Sequence, residues 1–186
     1  MIHFISDAPL EKTVGISNAV VGWLELDLDQ LDKGVKGEFE VDLRTFHTGV
    51  EPRNEQIKDQ IFNASEFPVA KFSLGKLLKS SKPKLTTDAA VTLKVDGQLQ
   101  ARGLALPQPV VMNLKYFKES PATRQRLTGN LLKVSASLEV DTTNFGVSVT
   151  EEQKLRYARV LQVYADAIGT DRAPLKASAE EPLKLK

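Results

Sequence analysis

Hydrophobic and polar residues alternate along most of this chain with a period of two. In segment 38–43, Phe39, Val41 and Leu43 alternate with acidic residues, and the longest run of this kind covers 132–140. Such alternation predicts strands with one buried and one exposed face. About eight segments show it, namely 2–6, 20–28, 36–43, 69–78, 89–99, 108–117, 132–140 and 161–167. Residues 10–19 lack it and are predicted to form a loop.

One stretch has the period of a helix instead. Pro52 suits a first helical position, Ile57 and Ile61 recur four residues apart, and Phe67-Pro68 ends the pattern. The sequence therefore predicts one short helix at residues 52–62. A second helix is an option near 150–158, where two glutamates follow a threonine that suits a cap.

The strand pattern favours one fold class. Parallel sheets covered on both faces have continuously apolar strands, and this chain does not show them. We therefore predict a mainly all-β protein, an antiparallel barrel of about eight strands that closes so that no edge is left open. Residues 1–168 are predicted to form this single domain, and 169–186, polar and without periodicity, a flexible tail.

Composition narrows the possible partners. Lys and Arg number 25 and Asp and Glu 24, so charge favours neither nucleic acid nor an anionic membrane surface. No apolar run is long enough for an integral membrane segment. The absence of cysteine excludes disulfides, thiol catalysis and zinc–thiolate sites.

The sequence offers little for catalysis. A triad or a metal site would have to use His3 or His47, and no G-x-S-x-G frame accompanies them. His47 and Glu51 are four residues apart, which would suit a metal site on one helix face. Gly49 lies between them and Pro52 follows, so the two side chains are not predicted to share such a face. We expect no catalytic residues, no metal and no cofactor.

Three motifs occur along the chain in the same order as in a known protein family. They are Val41 to Thr45 with Thr48-Gly49, Arg53, Phe62, Phe67-Pro68 and Phe72-Ser73; then Gly97-Gln98-Leu99 with Gly103 and Pro107; then Asn144 to Val147. Together they resemble the YceI-like family of bacterial lipid-binding barrels. The chain departs from the family at Arg53-Asn54-Glu55-Gln56, where the pattern is R-D-x-H, at Ile61 in place of a phenylalanine, and at Gln100 in place of a threonine.

The resemblance implies a lipocalin-like barrel that binds a long lipid. From the residues alone, inward side chains either fill a small barrel or line a cavity; the resemblance favours the cavity. The expected function is non-enzymatic binding, transport or storage of a polyisoprenoid, isoprenoid quinone or long fatty chain. The alternatives are a filled barrel serving as a stress-response or protein-interaction module and, third, an enzyme on a hydrophobic substrate. The expected lining residues are Leu24, Leu26, Phe39, Val41, Leu43, Ala70, Phe72, Leu74, Val91, Leu93, Met112, Leu114, Val134, Ala136, Leu138, Leu161 and Val163.

The helix and the turn before it are the expected lid of this cavity. His47, Arg53, Ile57 and Phe62 are assigned to the mouth, and His47, Arg53 and Trp23 are candidates for contact with a lipid head group. Arg53 in a first helical turn opposes the helix dipole, so it needs a partner, either a structural one or the ligand. The partner expected is a hydrophobic small molecule, with a homodimer as a further option. The resemblance implies a periplasmic or other extracytoplasmic location, while the lack of a leader-like pattern at Met1 leaves the cytoplasm open.

Overall fold

The computed structural model describes residues 1–87 and 89–172, which form one curled antiparallel sheet and a few short helices. The predicted fold class, a mainly antiparallel lipocalin-like barrel, is confirmed, with ten strands in place of about eight. The strands are β1 Ile2–Asp7, β2 Lys12–Ser17, β3 Val20–Leu26, β4 Val35–Asp42, β5 Val69–Ser80, β6 Ala90–Ala101, β7 Leu104–Pro107, β8 Val110–Phe117, β9 Leu131–Asp141 and β10 Val160–Thr170. Their order in the sheet is β2-β1-β10-β9-β8-β6-β5-β4-β3, and β7 pairs with β6.

The two ends of this sheet meet at a bend in the chain. Only Asn18 and Ala19 separate β2, which pairs with β1, from β3, which pairs with β4. Ile16 and His47 exchange both backbone hydrogen bonds at 2.9 and 3.0 Å, which fixes the corner. Among the described residues, the far edge of β3 has no strand partner. The expectation of a barrel without open edges is therefore wrong for this part of the sheet.

The loop predicted at 10–19 is also wrong, because residues 12–17 form β2. The buried positions of this strand are Thr13, Gly15 and Ser17, so small and polar residues face inward and the hydrophobic alternation is missing. Gly15 is required by the ring of Phe4, since a Cβ at position 15 would lie 2.2 Å from Phe4 Cε1. The strand follows from a close approach between neighbours, which sequence periodicity does not reveal.

A second unpredicted strand, β7, forms a hairpin with the end of β6. The two residues between these strands, Arg102 and Gly103, have φ of 49° and 74°. Left-handed backbone at both central positions is what a two-residue type I′ hairpin requires. Arginine is an unusual choice at the first of them.

The predicted helix 52–62 is confirmed within one residue. α1 covers Glu51–Gln56 and continues as a π-helical turn, Ile57–Phe62, which ends at Asn63 with φ 50°. We call residues 51–62 the helical segment. A short α2, Pro121–Arg124, was not predicted and is held by a capping box between Ser120 and Thr123.

The remaining helical turns are all of the 3-10 type: Leu31–Lys33, Leu43–Thr45, Thr142–Phe145 and Gln153–Leu155. The last of these is all that forms of the second helix considered near 150–158. Its N-cap is Glu152 and not the expected Thr150, although Gln153 N donates to Thr150 Oγ1 at 3.2 Å. The predicted domain boundary at 168 falls inside β10, which runs to Thr170. Residues 173–186 of the predicted tail lie outside the described part of the chain.

The interior contains two separate hydrophobic clusters. The strand cluster fills one half of the barrel and consists of Leu31, Val35, Leu85, Val91, Leu93, Val95, Val110, Met112, Leu114 and Val134. The helix cluster joins the helical segment to the other half and consists of Phe4, Val41, Leu43, Phe46, Ile57, Ala64 and Leu161. The space between the two clusters is where the candidate site lies.

Candidate functional site

An apolar cavity of about 200 Å³ lies inside the barrel between the strand cluster and the helix cluster. Its wall is almost entirely carbon. Such a wall suits the apolar part of a ligand, because burying carbon groups is favourable and needs no directional contact.

Small residues at the centre of the wall keep the cavity open. Met112 on β8, Ala136 on β9, Ala165 on β10 and Ile2 on β1 are register partners across four adjacent strands. All four line the cavity. The two alanines lie in the middle of this row, between larger side chains, so the row forms a shallow trough in the wall.

Most residues expected to line the cavity do contact it. Twelve of the seventeen are at its wall: Phe39, Val41, Leu43, Ala70, Phe72, Leu74, Met112, Val134, Ala136, Leu138, Leu161 and Val163. Further lining residues outside the expected set include Ile2, Phe4, Phe46, Ile61, Leu99, Ala101, Arg102, Val140, Phe145, Ala165 and Ala167. Ala165 and Ala167 share the inward period of Val163, so the alternation itself pointed to them.

Five expected lining residues lie away from the cavity. Val91, Leu93 and Leu114 are fully buried in the strand cluster, and Leu24 and Leu26 pack against it. This half of the barrel is filled because two loops close its end. Leu31 N donates to Pro83 O at 3.0 Å, and Leu85 N donates to Leu28 O at 2.8 Å. The leucines at positions 31 and 85 thereby enter the interior, so the barrel is filled in one half and hollow in the other.

Three phenylalanines close the cavity on the side of the helical segment. The ring centroids of Phe4, Phe46 and Phe62 lie 5.3 to 5.8 Å from one another, with the rings of Phe4 and Phe62 edge to face. All three rings line the cavity. Phe62, assigned to the mouth, therefore lines the cavity, and Ile57 is buried in the helix cluster against which Phe62 packs.

The start of the helical segment is held by an ion pair away from the cavity wall. Arg53 Nη1 donates to Glu11 Oε1 at 2.7 Å, and Arg53 Nε donates to Thr48 Oγ1 at 3.0 Å. Arg156 Nε donates to the second oxygen of Glu11 at 3.0 Å. Hydrogen bonds from Arg53 and then Arg156 hold the pKa of Glu11 below its ordinary value of 4.5. Arg53 is therefore a structural clamp between the helical segment and the loop after β1.

The other candidates for head-group contact, His47 and Trp23, also lie away from the cavity wall, and so does His3. His47 is exposed and forms the backbone bridge to Ile16 at the corner of the sheet. Trp23 is 53% exposed on β3 and does not line the cavity. His3 stacks on Tyr164 with ring centroids 5.0 Å apart. Across residues 1–87 and 89–172, no three His, Asp or Glu side chains are grouped so that they could hold a metal ion.

The end of the helical segment is held by a residue that sequence reasoning did not single out, Arg102. Its Nε donates to Phe145 O at 3.0 Å, and its Nη1 donates to Ile61 O at 3.0 Å and to Gln60 O at 3.2 Å. One guanidinium thus joins the β6–β7 hairpin, the helical segment and the turn after β9. All three elements contribute residues to the cavity wall.

Comparison with known proteins agrees with this architecture. The model of the YceI-like domain family matches residues 2–170. The chain belongs to the YceI-like family. A search of curated proteins gave no significant match. No helix in the described part of the chain is long and apolar enough to span a membrane.

Several solved structures have the same fold at low sequence identity. BcnA of Burkholderia cenocepacia is 16% identical, with a TM-score of 0.69 over 91% of this chain and 95% of that one. The YceI protein of Campylobacter jejuni is 12% identical, with a TM-score of 0.67 over 86% and 85%. A domain from Saccharophagus degradans, described as polyisoprenoid-binding and implicated in plant cell wall breakdown, is 13% identical, with a TM-score of 0.62 over 90% and 91%.

Proposed function

We propose that this protein binds an amphiphilic lipid with a long apolar chain, such as a polyisoprenoid, an isoprenoid quinone or a fatty acid, and performs no chemistry on it. The observation that carries the proposal is the carbon-walled cavity between the two clusters. The polyisoprenoid-binding description of the Saccharophagus degradans neighbour supports the same ligand class.

Burial of the chain supplies enough free energy without a polar contact. Each methylene removed from water contributes about 0.8 kcal/mol. Ten methylenes therefore contribute about 8 kcal/mol, which before the cost of ordering the ligand corresponds to a micromolar complex. The polar head then stays at the surface of the protein, because the cavity wall offers it no partner.

A binding role also explains the chemistry of the wall better than catalysis does. General acid–base and nucleophilic catalysis need a titratable or nucleophilic side chain that touches the substrate. Glu40, Lys71, Arg102 and Asp166 are among the residues around the described cavity, but the surface of its wall is almost entirely carbon. Carriage or storage of the lipid and an extracytoplasmic location are further parts of the proposal, and they rest on the family likeness.

Mass spectrometry of an organic extract of the purified protein tests the proposal. We expect a long-chain lipid in the extract of the wild-type protein and much less in that of Ala136→Trp, whose indole would occupy the trough in the wall. The delipidated protein is expected to take up a pyrene-labelled long-chain fatty acid. An extract without lipid, together with no uptake of the probe, would refute lipid binding and favour the protein-interaction alternative.

A further inference from the structure

We infer that Arg102 is a latch: it closes the cavity at a gap between β7 and β9 and sets how fast ligand enters and leaves. This inference rests on the proposed function, because it concerns the exchange of the same ligand. Arg102 is a positioning residue, since it acts through the backbone that it holds.

The gap follows from the pairing of the strands. β9 pairs with β8 up to Ser137, opposite Val111. Its continuation, residues 138–141, pairs with β10 on one side and, among the described residues, with no strand on the other. β7 precedes β8 on the same side of β6, and the register of β8 with β9 would place residues 138–141 opposite 107–110, where β7 ends and β8 begins. The sheet is therefore interrupted between β7 and β9.

The cavity reaches this interruption from inside. Ala101 and Arg102 on the β6–β7 hairpin line it, and so do Leu138, Val140 and Phe145 at and after the end of β9. Separation of the hairpin from the turn after β9 would thus uncover the apolar interior. Elsewhere in the sheet, neighbouring strands are joined by a ladder of backbone hydrogen bonds. Here the side chain of Arg102 crosses the gap and donates to the carbonyl oxygen of Phe145.

Among the described residues, the contacts of Arg102 are hydrogen bonds without an ion pair, which suits a contact that must break and re-form as ligand passes. Its three acceptors are neutral carbonyl oxygens, and none of the ion pairs in the described part of the chain includes it. Two of these carbonyls, Gln60 O and Ile61 O, lie in the last turn of the helical segment, where the helix itself supplies no donor. The guanidinium therefore caps the helical segment and fastens it to the hairpin at once.

The backbone of Arg102 also indicates a role for its side chain. Its φ of 49° is in the left-handed region, where a residue with a Cβ is disfavoured and glycine is not. The neighbouring position of the same turn is Gly103. An arginine that occupies such a position gains the three hydrogen bonds that a glycine would lose.

Stopped-flow kinetics with the delipidated full chain and a pyrene-labelled long-chain fatty acid test the latch. Arg102→Met keeps the apolar stem that lines the cavity and removes every donor. Arg102→Lys keeps the charge but cannot span three carbonyls. Arg53→Met is the matched control, because it releases the opposite end of the same helical segment.

We expect Arg102→Met to raise the association and dissociation rates together, by roughly 10- to 100-fold, the factor that corresponds to loss of a hydrogen bond to a charged group. The Kd is expected to change far less than either rate, since a latch mainly changes the barrier between the free and bound states. Arg102→Lys should fall between wild type and Arg102→Met, and Arg53→Met should match wild type. A general loss of structure would instead change the Kd or lower the capacity for probe.

Two results would overturn the latch alone: a wild-type protein that binds the probe with rates unchanged in Arg102→Met, or equal acceleration by Arg53→Met. Failure of the wild type to bind would overturn the proposed function and the latch with it. If Arg102→Met does not fold, hydrogen exchange of the wild type decides. The amides of residues 101–107 and 142–147 should then exchange by local opening that bound probe suppresses, and exchange through global unfolding alone would refute the latch.

Discussion

Replacing Ala136 by leucine tests whether the trough in the cavity wall is empty space that a ligand uses. Ala136 lies between Met112 and Ala165 in the row of register partners, and its side chain lines the cavity. Ala136→Leu adds three carbon groups to a region that the ligand-free protein leaves open. The same groups then compete with the ligand for that region.

The two effects have opposite signs and similar size. At about 0.8 kcal/mol for each buried carbon group, the added side chain should raise the free energy of unfolding of the ligand-free protein by up to about 2.4 kcal/mol. Displacing about three methylenes of the ligand should weaken binding by the same amount, which is roughly a 50-fold increase in Kd. A variant that is more stable and binds less tightly is a signature that few other mechanisms produce.

Urea unfolding of the delipidated protein measures the first effect, and equilibrium titration with a pyrene-labelled long-chain fatty acid measures the second. Ala90→Leu is the control, because Ala90 lies on the exposed face of β6, two strands away from Ala136 in the same sheet, where added carbon stays in water. If Ala136→Leu instead lost about 1–3 kcal/mol, the site would already be filled and the substitution would overpack it. An unchanged Kd would show that the ligand does not bind in this cavity.

Three further predictions address residues around the site. Leu93→Ala should cost about 2–5 kcal/mol of unfolding free energy, because Leu93 is buried in the strand cluster, and it should leave the Kd unchanged; weaker binding would place the ligand in the filled half. Arg53→Ala should cost about 1–3 kcal/mol through loss of its charged hydrogen bonds, with no change in the dissociation rate of the probe; faster dissociation would move the opening to the start of the helical segment. Glu11→Gln tests how stability depends on pH. The pKa of Glu11 is lowered in the folded protein, so the Glu11 carboxylate stabilises the fold above pH 4.5, and this stabilisation is lost as the pH falls below that value. Thermal unfolding should therefore show that wild type is more stable than Glu11→Gln near neutral pH and that this difference in stability shrinks in acid. A difference that stays constant with pH would contradict the assignment.

The sequence predicted the strands in which inward apolar residues alternate over a long run, and it missed β2 and β7, which lack such a run. The long alternations of β4, β6 and β9 led to the fold class, because apolar burial is what the period-two pattern reports. β2 was missed since Thr13, Gly15 and Ser17 face inward, and β7 since it is a short strand created by a two-residue turn. Both depend on how neighbouring strands approach one another.

The same limit applies to the candidate site. Alternation identified which face of each strand is inward, and so it placed Ala136 and Met112 at the wall correctly. It carried no information on which half of the barrel the loops fill, and Leu93 and Leu114 were therefore assigned to a cavity that does not reach them. Arg102 was overlooked because its acceptors are backbone carbonyls, which no side-chain motif marks.

Pairing of the first strand with the last has a consequence for synthesis of the protein. β1 takes its place in the sheet beside β10, through partners such as Ile2 and Ala165. While the chain is being made, β1 and β2 can form a hairpin with each other but have no further neighbour until β10 has emerged. Such distant pairings form late and slowly. The cavity wall is thus incomplete until β10 has left the ribosome, and the barrel can acquire a lipid in its finished form only after that point.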